Sequence, residues 1–194
     1  MTLLFCSSNE GKFLEVRQVL KEKGVVVEHF KMELVEPKVF SLEEVVLSKA
    51  RQAFNAAGGS VVVEDTGIFF LDYNDFPGAF TKVFVSSVGL KGVLRLVEGT
   101  SRKAVFKTFL AYKDANIEKV FVGSVSGSIS REIKGSSHTK LPFDSVFIPD
   151  GWNKTFAEGT SEEKNIASHR AKVVREFAVW FKDYSTRLFL SDGK

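Results

Sequence analysis

Over its first seventy residues the chain switches repeatedly between a short apolar run and an amphipathic stretch, and few architectures accept that order. TLLFCS (2–7) has the unbroken apolar character of a buried strand. Ser8 or Asn9 then caps a helix in which Val16, Val19, Leu20 and Lys23 recur at helical spacing, and Gly24 ends it. VVVEHF (25–30) is a second strand. SLEE, from Ser41 to Glu44, is a capping box. The helix after it carries Leu42, Val45, Val46, Ala50, Ala53, Phe54 and Ala57 on one apolar side, and Gly58-Gly59 closes it. SVVVEDTG (60–67) is a third strand, ending in acidic residues. Strand, helix, strand, helix, strand predicts an α/β layout, a sheet covered by helices.

The middle of the chain reads differently. RKAVFKTFLAYKD (102–114) and NIEKVFVGSVSGSISREI (116–133) are long and β-rich, and the turn at Asp114, Ala115 and Asn116 makes them an antiparallel pair. They belong to a second lobe. A final helix starts at Ser161, its expected N-cap. Glu162 and Glu163 suit the positive end of the dipole, and Ile166, Val173, Val174, Phe177 and Trp180 form an apolar face. There is no internal repeat and no low-complexity tract.

At 194 residues the expectation is a single domain, or two closely packed lobes, spanning 1–194. Apolar residues make up 44% and charged residues 26%, a balance that excludes a disordered chain. The net charge of +3 is spread along the sequence without a Lys/Arg block, so no nucleic-acid partner is expected. Cys6 is the single cysteine, which rules out an internal disulfide and suits a cytoplasmic protein. No apolar run reaches the roughly 18 residues of a membrane span, and no secretory leader is read, so no membrane partner is expected.

Four stretches carry chemistry. The loop CSSNEGK (6–12) joins a strand to a helix start, where free N–H groups and the dipole favour an anion. It resembles a Walker loop without its spelling: Cys6 stands at the first glycine and Phe13 at the hydroxyl. Taken alone it is equally a capped surface helix. Glu64 and Asp65 close the third strand, where open α/β sheets bind ligands. Adjacent strand residues point to opposite faces, so only one of the two is expected to face a given cleft. A carboxylate aimed at a phosphate needs a cation between them, and Mg²⁺ is the ordinary one. It can also take a proton from an activated water. In EKNIASHRAK (163–172), Lys164 and Ser168 share a helix face, with His169 and Arg170 beside them. These suit phosphates and a base edge, or a plain basic surface. In LPFDS (141–145), Phe143-Asp144 can stack on a nucleobase and bond its edge, or sit in a core loop.

In this order the stretches resemble the Ham1-type inosine triphosphate pyrophosphatases. The T/S-G-N-x-x-K loop is here Ser7, Ser8, Asn9, Glu10, Gly11 and Lys12, followed by Glu15. The D/E-D-S/T-G element is Glu64-Asp65-Thr66-Gly67. The P-G turn is Pro77-Gly78 with Lys82 after it, TFAE stands at 155–158, and EKNxxSHR spans Glu163 to Arg170. The resemblance implies two α/β lobes around a long mixed sheet, an active cleft between them, and a homodimer. It implies Mg²⁺-dependent hydrolysis of inosine, xanthosine and deoxyinosine triphosphates to monophosphate and pyrophosphate. By the same resemblance, Ser7 to Lys12 cradle the triphosphate, Glu36 and Asp65 hold the metal, and Asp65 is the general base. Thr66 touches the substrate, Lys49 and Lys82 contact phosphates, and Lys164, His169 and Arg170 hold base and phosphates. The family's F-G-[YW]-D-P base pocket is altered to Leu141-Pro142-Phe143-Asp144-Ser145, which puts base selectivity in question.

The rivals are a pyrophosphatase with a different or relaxed base preference and a nucleotide-binding protein without turnover. Glu36 and Asp65, both present, disfavour the latter. Glu162, Glu163 and Glu176 interrupt the stripe that a nucleic-acid-binding final helix needs.

Overall fold

A computed structural model describes residues 2–135 and 141–191. The alternation of the first seventy residues becomes β1 (Leu3–Cys6), α1 (Glu10–Glu22), β2 (Val27–Phe30), α2 (Leu42–Ala57) and β3 (Val61–Phe70). Of the two expected caps Asn9 is the one used, its side chain accepting from the Lys12 N–H. Gly24 follows α1 at φ 71°, the left-handed turn expected of it. Ser41 accepts from the Glu44 N–H, and Gly58 closes α2 at φ 66°.

The remaining strands are β4 (Pro77–Gly78), β5 (Lys103–Lys113), β6 (Glu118–Ile129) and β7 (Phe147–Pro149). The sheet runs β2-β1-β3-β5-β6-β7, with β4 added to β3. β1 is parallel to both β2 and β3, while β5, β6, β7 and β4 pair antiparallel. The sheet is therefore mixed, and β5 and β6 form the expected hairpin.

One edge of β3 decides where a site can form. β1 pairs with it only at Val61 and Val62, and β4 only at Ile68 and Phe69. Between them Glu64, Asp65 and Thr66 have a strand neighbour, β5, on the other edge alone. The acids thus lie in mid-strand, not at the strand end that the sequence predicts. The strand continues because Ile68 and Phe70 enter the core of the second lobe.

Three apolar clusters surround the sheet. α1 and α5 (His169–Ser191) cover one face through Val16, Leu20, Val174 and Phe177, against Phe5, Val62 and Tyr112. α2 covers the other through Val46, Ala50 and Ala53, against Val61 and Val63. Val93, Val97, Phe106, Val125, Phe143 and Phe147 fill the second lobe. There α3 (Thr81–Leu96) is broken at Gly89, whose φ of 63° is non-helical.

The final helix departs from expectation. It is two helices, α4 (Ser161–Ala167) and α5, separated by Ser168 in extended conformation. Thr160, not Ser161, caps α4, and its reciprocal partner is Glu163, which completes a capping box. The break rotates Ile166 out of the apolar face into solvent, 71% exposed, while Val173, Val174 and Phe177 stay buried.

Candidate active site

A cleft of about 940 Å³ opens along the unpaired edge of β3, between the two lobes. Its walls come from the loop at the head of α1, the segment before α2, the start of α3, residues 141–144, and the α4–α5 junction. The residues to which the resemblance gives a catalytic, metal or phosphate role line it, as does most of the altered pocket: Ser7 to Lys12, Glu36, Lys49, Asp65, Thr66, Lys82, Leu141 to Asp144, Lys164, His169 and Arg170; Ser145 and Ser168 do not.

The floor is a chain of alternating charge. Lys49 Nζ lies 2.7 Å from Glu36 Oε1 and 3.2 Å from Asp65 Oδ1. Lys12 Nζ lies 4.0 Å from that Asp65 oxygen and 2.6 Å from Glu64 Oε1. The latter contact is a close ion pair without the alignment of a directed hydrogen bond. Arg170 approaches Glu64 Oε2 at 3.4 Å and Glu15 Oε2 at 2.5 Å. Lys164 donates to Glu15 Oε1 at 2.7 Å and to Asp144 Oδ2 at 2.6 Å. Most of these groups are buried, so each charge depends on its neighbours to offset desolvation.

Strand periodicity explains the division of labour. Glu64 shares the face of Val62 and meets Lys12 and Arg170, while Asp65 shares the face of Val61 and Val63 and meets Lys49 on α2. The expectation that only one acid serves the cleft is corrected here. Because β3 has a bare edge at this point, the cleft wraps around it, and Lys12 reaches both carboxylates from the head of α1.

Electrostatics separates the two acids. Burial opposes ionisation of Glu64, but Arg170 and Lys12 outweigh it and hold its carboxyl well below the usual range. Burial raises Asp65, and Glu64 and Glu36 add to the rise against the pull of Lys12 and Lys49. Lys49 has its shorter contact with Glu36, whose own pKa falls despite burial. A carboxylate with a raised pKa beside one that stays ionised is the arrangement a general base needs.

His169 is buried. Its Nδ1 lies 2.5 Å from Thr108 Oγ1, and its ring stacks on Phe106 at 4.7 Å. Burial, helped by Arg170, pushes its pKa well below 6.5, so the ring is neutral. Thr108 meets Thr66, which donates to Glu64 Oε2. In the altered pocket, Pro142 occupies the first position of a 3-10 turn (Pro142–Ser145), where its missing N–H costs nothing. Phe143 is 4% exposed, edge-on to Phe106 at 6.0 Å, so its ring is committed mostly to the core.

The Ham1 family model matches residues 3–180. The chain belongs to the Ham1 family. The dITP/XTP pyrophosphatase of Saccharolobus solfataricus is 38% identical over 182 residues, spanning 93% of this chain and 94% of its own length. The dITP/XTP pyrophosphatase of Thermococcus kodakarensis is 39% identical over 184 residues, spanning 94% and 98%. A Ham1 protein structure from Coxiella burnetii superposes with a TM-score of 0.80 at 22% identity, covering 94% of this chain and 99% of that one, and shows the same fold.

Within this Ham1 cleft, sequence reasoning assigned no role to two central acids. Glu15 joins Arg170 to Lys164, and its position three residues after Lys12 already puts both on one face of α1. Glu64 had no role beside Asp65, because strand alternation lets only one of the two acids face a cleft and the bare strand edge is a tertiary feature.

Proposed function

We propose that the chain hydrolyses non-canonical purine nucleoside triphosphates, such as dITP, ITP and XTP, to the monophosphate and pyrophosphate. The observation that carries this reading is the approach of Lys12, from the anion-favouring head of α1, to Glu64 and Asp65 at the bare edge of β3. Kinship with dITP/XTP pyrophosphatases supports the substrate class. Residues Ser7 to Gly11 present backbone N–H groups to the triphosphate. Lys12, Lys49 and Lys82 offset its charge. Asp65 takes the proton of the attacking water. Lys164 and Arg170, held by Glu15, Asp144 and Glu64, grip the nucleoside end.

Glu36 and Asp65 would hold Mg²⁺. Both carboxylates already reach a single cation, the ammonium of Lys49, and an all-oxygen pair suits a hard ion. The metal would supply charge neutralisation on the leaving pyrophosphate. By the same family resemblance the chain works as a cytoplasmic homodimer. Among the described residues no helix is long and apolar enough to cross a membrane. Sedimentation equilibrium checks the dimer.

A relaxed base preference is the second reading, favoured by the burial of Phe143 and the Leu141-Pro142 substitution at the cleft rim. Hydrolysis of dITP in ¹⁸O-water tests the reaction: label should enter the monophosphate alone. Label in pyrophosphate, or release of orthophosphate, contradicts attack at the α-phosphorus.

A further inference from the structure

The reading of Glu36 and Asp65 as metal-holding acids raises a question of occupancy, since one side chain of this chain already stands between them. Lys49 projects from α2 with its side chain only 8% exposed, and its Nζ is within 3.2 Å of an oxygen from each acid. A metal held by these two carboxylates would need the space that the ammonium fills. The two carboxylates are also few ligands for an octahedral ion. Among the described residues no group of three or more His, Cys, Asp or Glu side chains is placed to hold a metal. The nucleotide-free cleft thus offers a divalent cation two carboxylates that an ammonium already occupies.

We infer that Lys49 is an internal placeholder for the metal, released only when a triphosphate enters. Its long flexible stem lets the ammonium swing from the carboxylates to phosphate oxygens. The phosphates then supply the missing ligands and a new partner for Lys49 in one event. Metal and nucleotide binding are therefore coupled, and by linkage each strengthens the other by the same factor. Lys49 acts on the metal site before it meets the phosphates, and the signature of that role is the metal affinity of the nucleotide-free protein.

The experiment is a Mn²⁺ titration of the nucleotide-free protein at pH 8, read by the electron paramagnetic resonance of free Mn²⁺. Folding of each variant is verified by circular dichroism. Lys49→Met should bind Mn²⁺ about tenfold tighter or more than wild type, because a unit positive charge next to both oxygens is gone. Lys49→Gln, which keeps a polar head, serves if the methionine variant does not fold and should shift the same way. Adding α,β-methylene-ITP should tighten Mn²⁺ strongly in wild type and much less in either variant. Unchanged or weaker Mn²⁺ affinity in the folded Lys49 variants overturns the placeholder role. Glu36→Gln and Asp65→Asn separate the two readings. If Mn²⁺ binding survives in both, the metal site lies elsewhere and the underlying reading fails. If they lose Mn²⁺ while the Lys49 variants do not tighten it, only the placeholder fails.

Discussion

Asp65 sits where opposing influences meet, with burial and two like charges raising its pKa and two ammoniums lowering it. As the proposed general base, Asp65 should give a large effect on removal. Asp65→Asn should lower kcat by about 10²–10⁴-fold while the protein remains folded. Near-normal pyrophosphate release by a folded variant would remove Asp65 from the chemistry. His169 makes a different prediction. Its folded pKa lies well below the ordinary 6.5, so the unfolded chain takes up a proton first as pH falls. Its contribution is intact above pH 6.5 and is lost as pH falls below that value, with a slope of at most about 1.4 kcal/mol per pH unit. Urea unfolding below pH 6.5 should show this slope in wild type and a flatter one in His169→Gln. Equal slopes would mean that His169 is not buried neutral. Residue identity made both groups visible in the sequence. Their pKa directions depend on neighbours from other elements, and those were not visible.

The elements that place the site depend on close backbone approaches. At Gly123 in β6 a Cβ would stand 2.3 Å from the His169 carbonyl oxygen and 2.8 Å from the Val173 nitrogen. The strand and the start of α5 meet without room for a side chain, and this closeness presents Arg170 to Glu64. Gly123→Ala should therefore destabilise the protein by about 1–3 kcal/mol, and lower kcat/KM more than KM alone explains as α5 shifts. Chemical denaturation with parallel kinetics checks both, and a variant of wild-type stability and rate would refute the close approach. Gly123 carries no sign of this role in the sequence, where it reads as one more glycine in a β-rich run. β1, α1, α2, β3 and the β5–β6 hairpin were legible because periodicity and caps are local. The split at Ser168 was not. Thr160 outcompetes Ser161 as cap by pairing with Glu163, and the SHR run then starts a new helix rather than continuing one. Nor was α3, whose exposed Val83 and Val88 and broken turn at Gly89 give no clean amphipathic repeat.

Across the whole molecule, the two lobes bring residues from opposite ends of the chain into one line of charge. Glu15 and Arg170 are 155 positions apart, as are no two members of any local motif. Motif order in the sequence was enough to gather the cleft, because a sheet with one strand left bare between β1 and β4 has a single edge where those motifs converge. What motif order did not carry is the identity of the base. The residues proposed for the base end are Leu141, Pro142 and a Phe143 turned into the core. The most direct test of the account is pyrophosphate release measured as kcat/KM over a panel of ITP, dITP, XTP, ATP, GTP, CTP and UTP, with Mg²⁺ present. The account predicts that ITP, dITP and XTP are the fastest substrates, each yielding one pyrophosphate per monophosphate. Comparable rates on ATP or GTP, or no pyrophosphate from any of the seven, would contradict it.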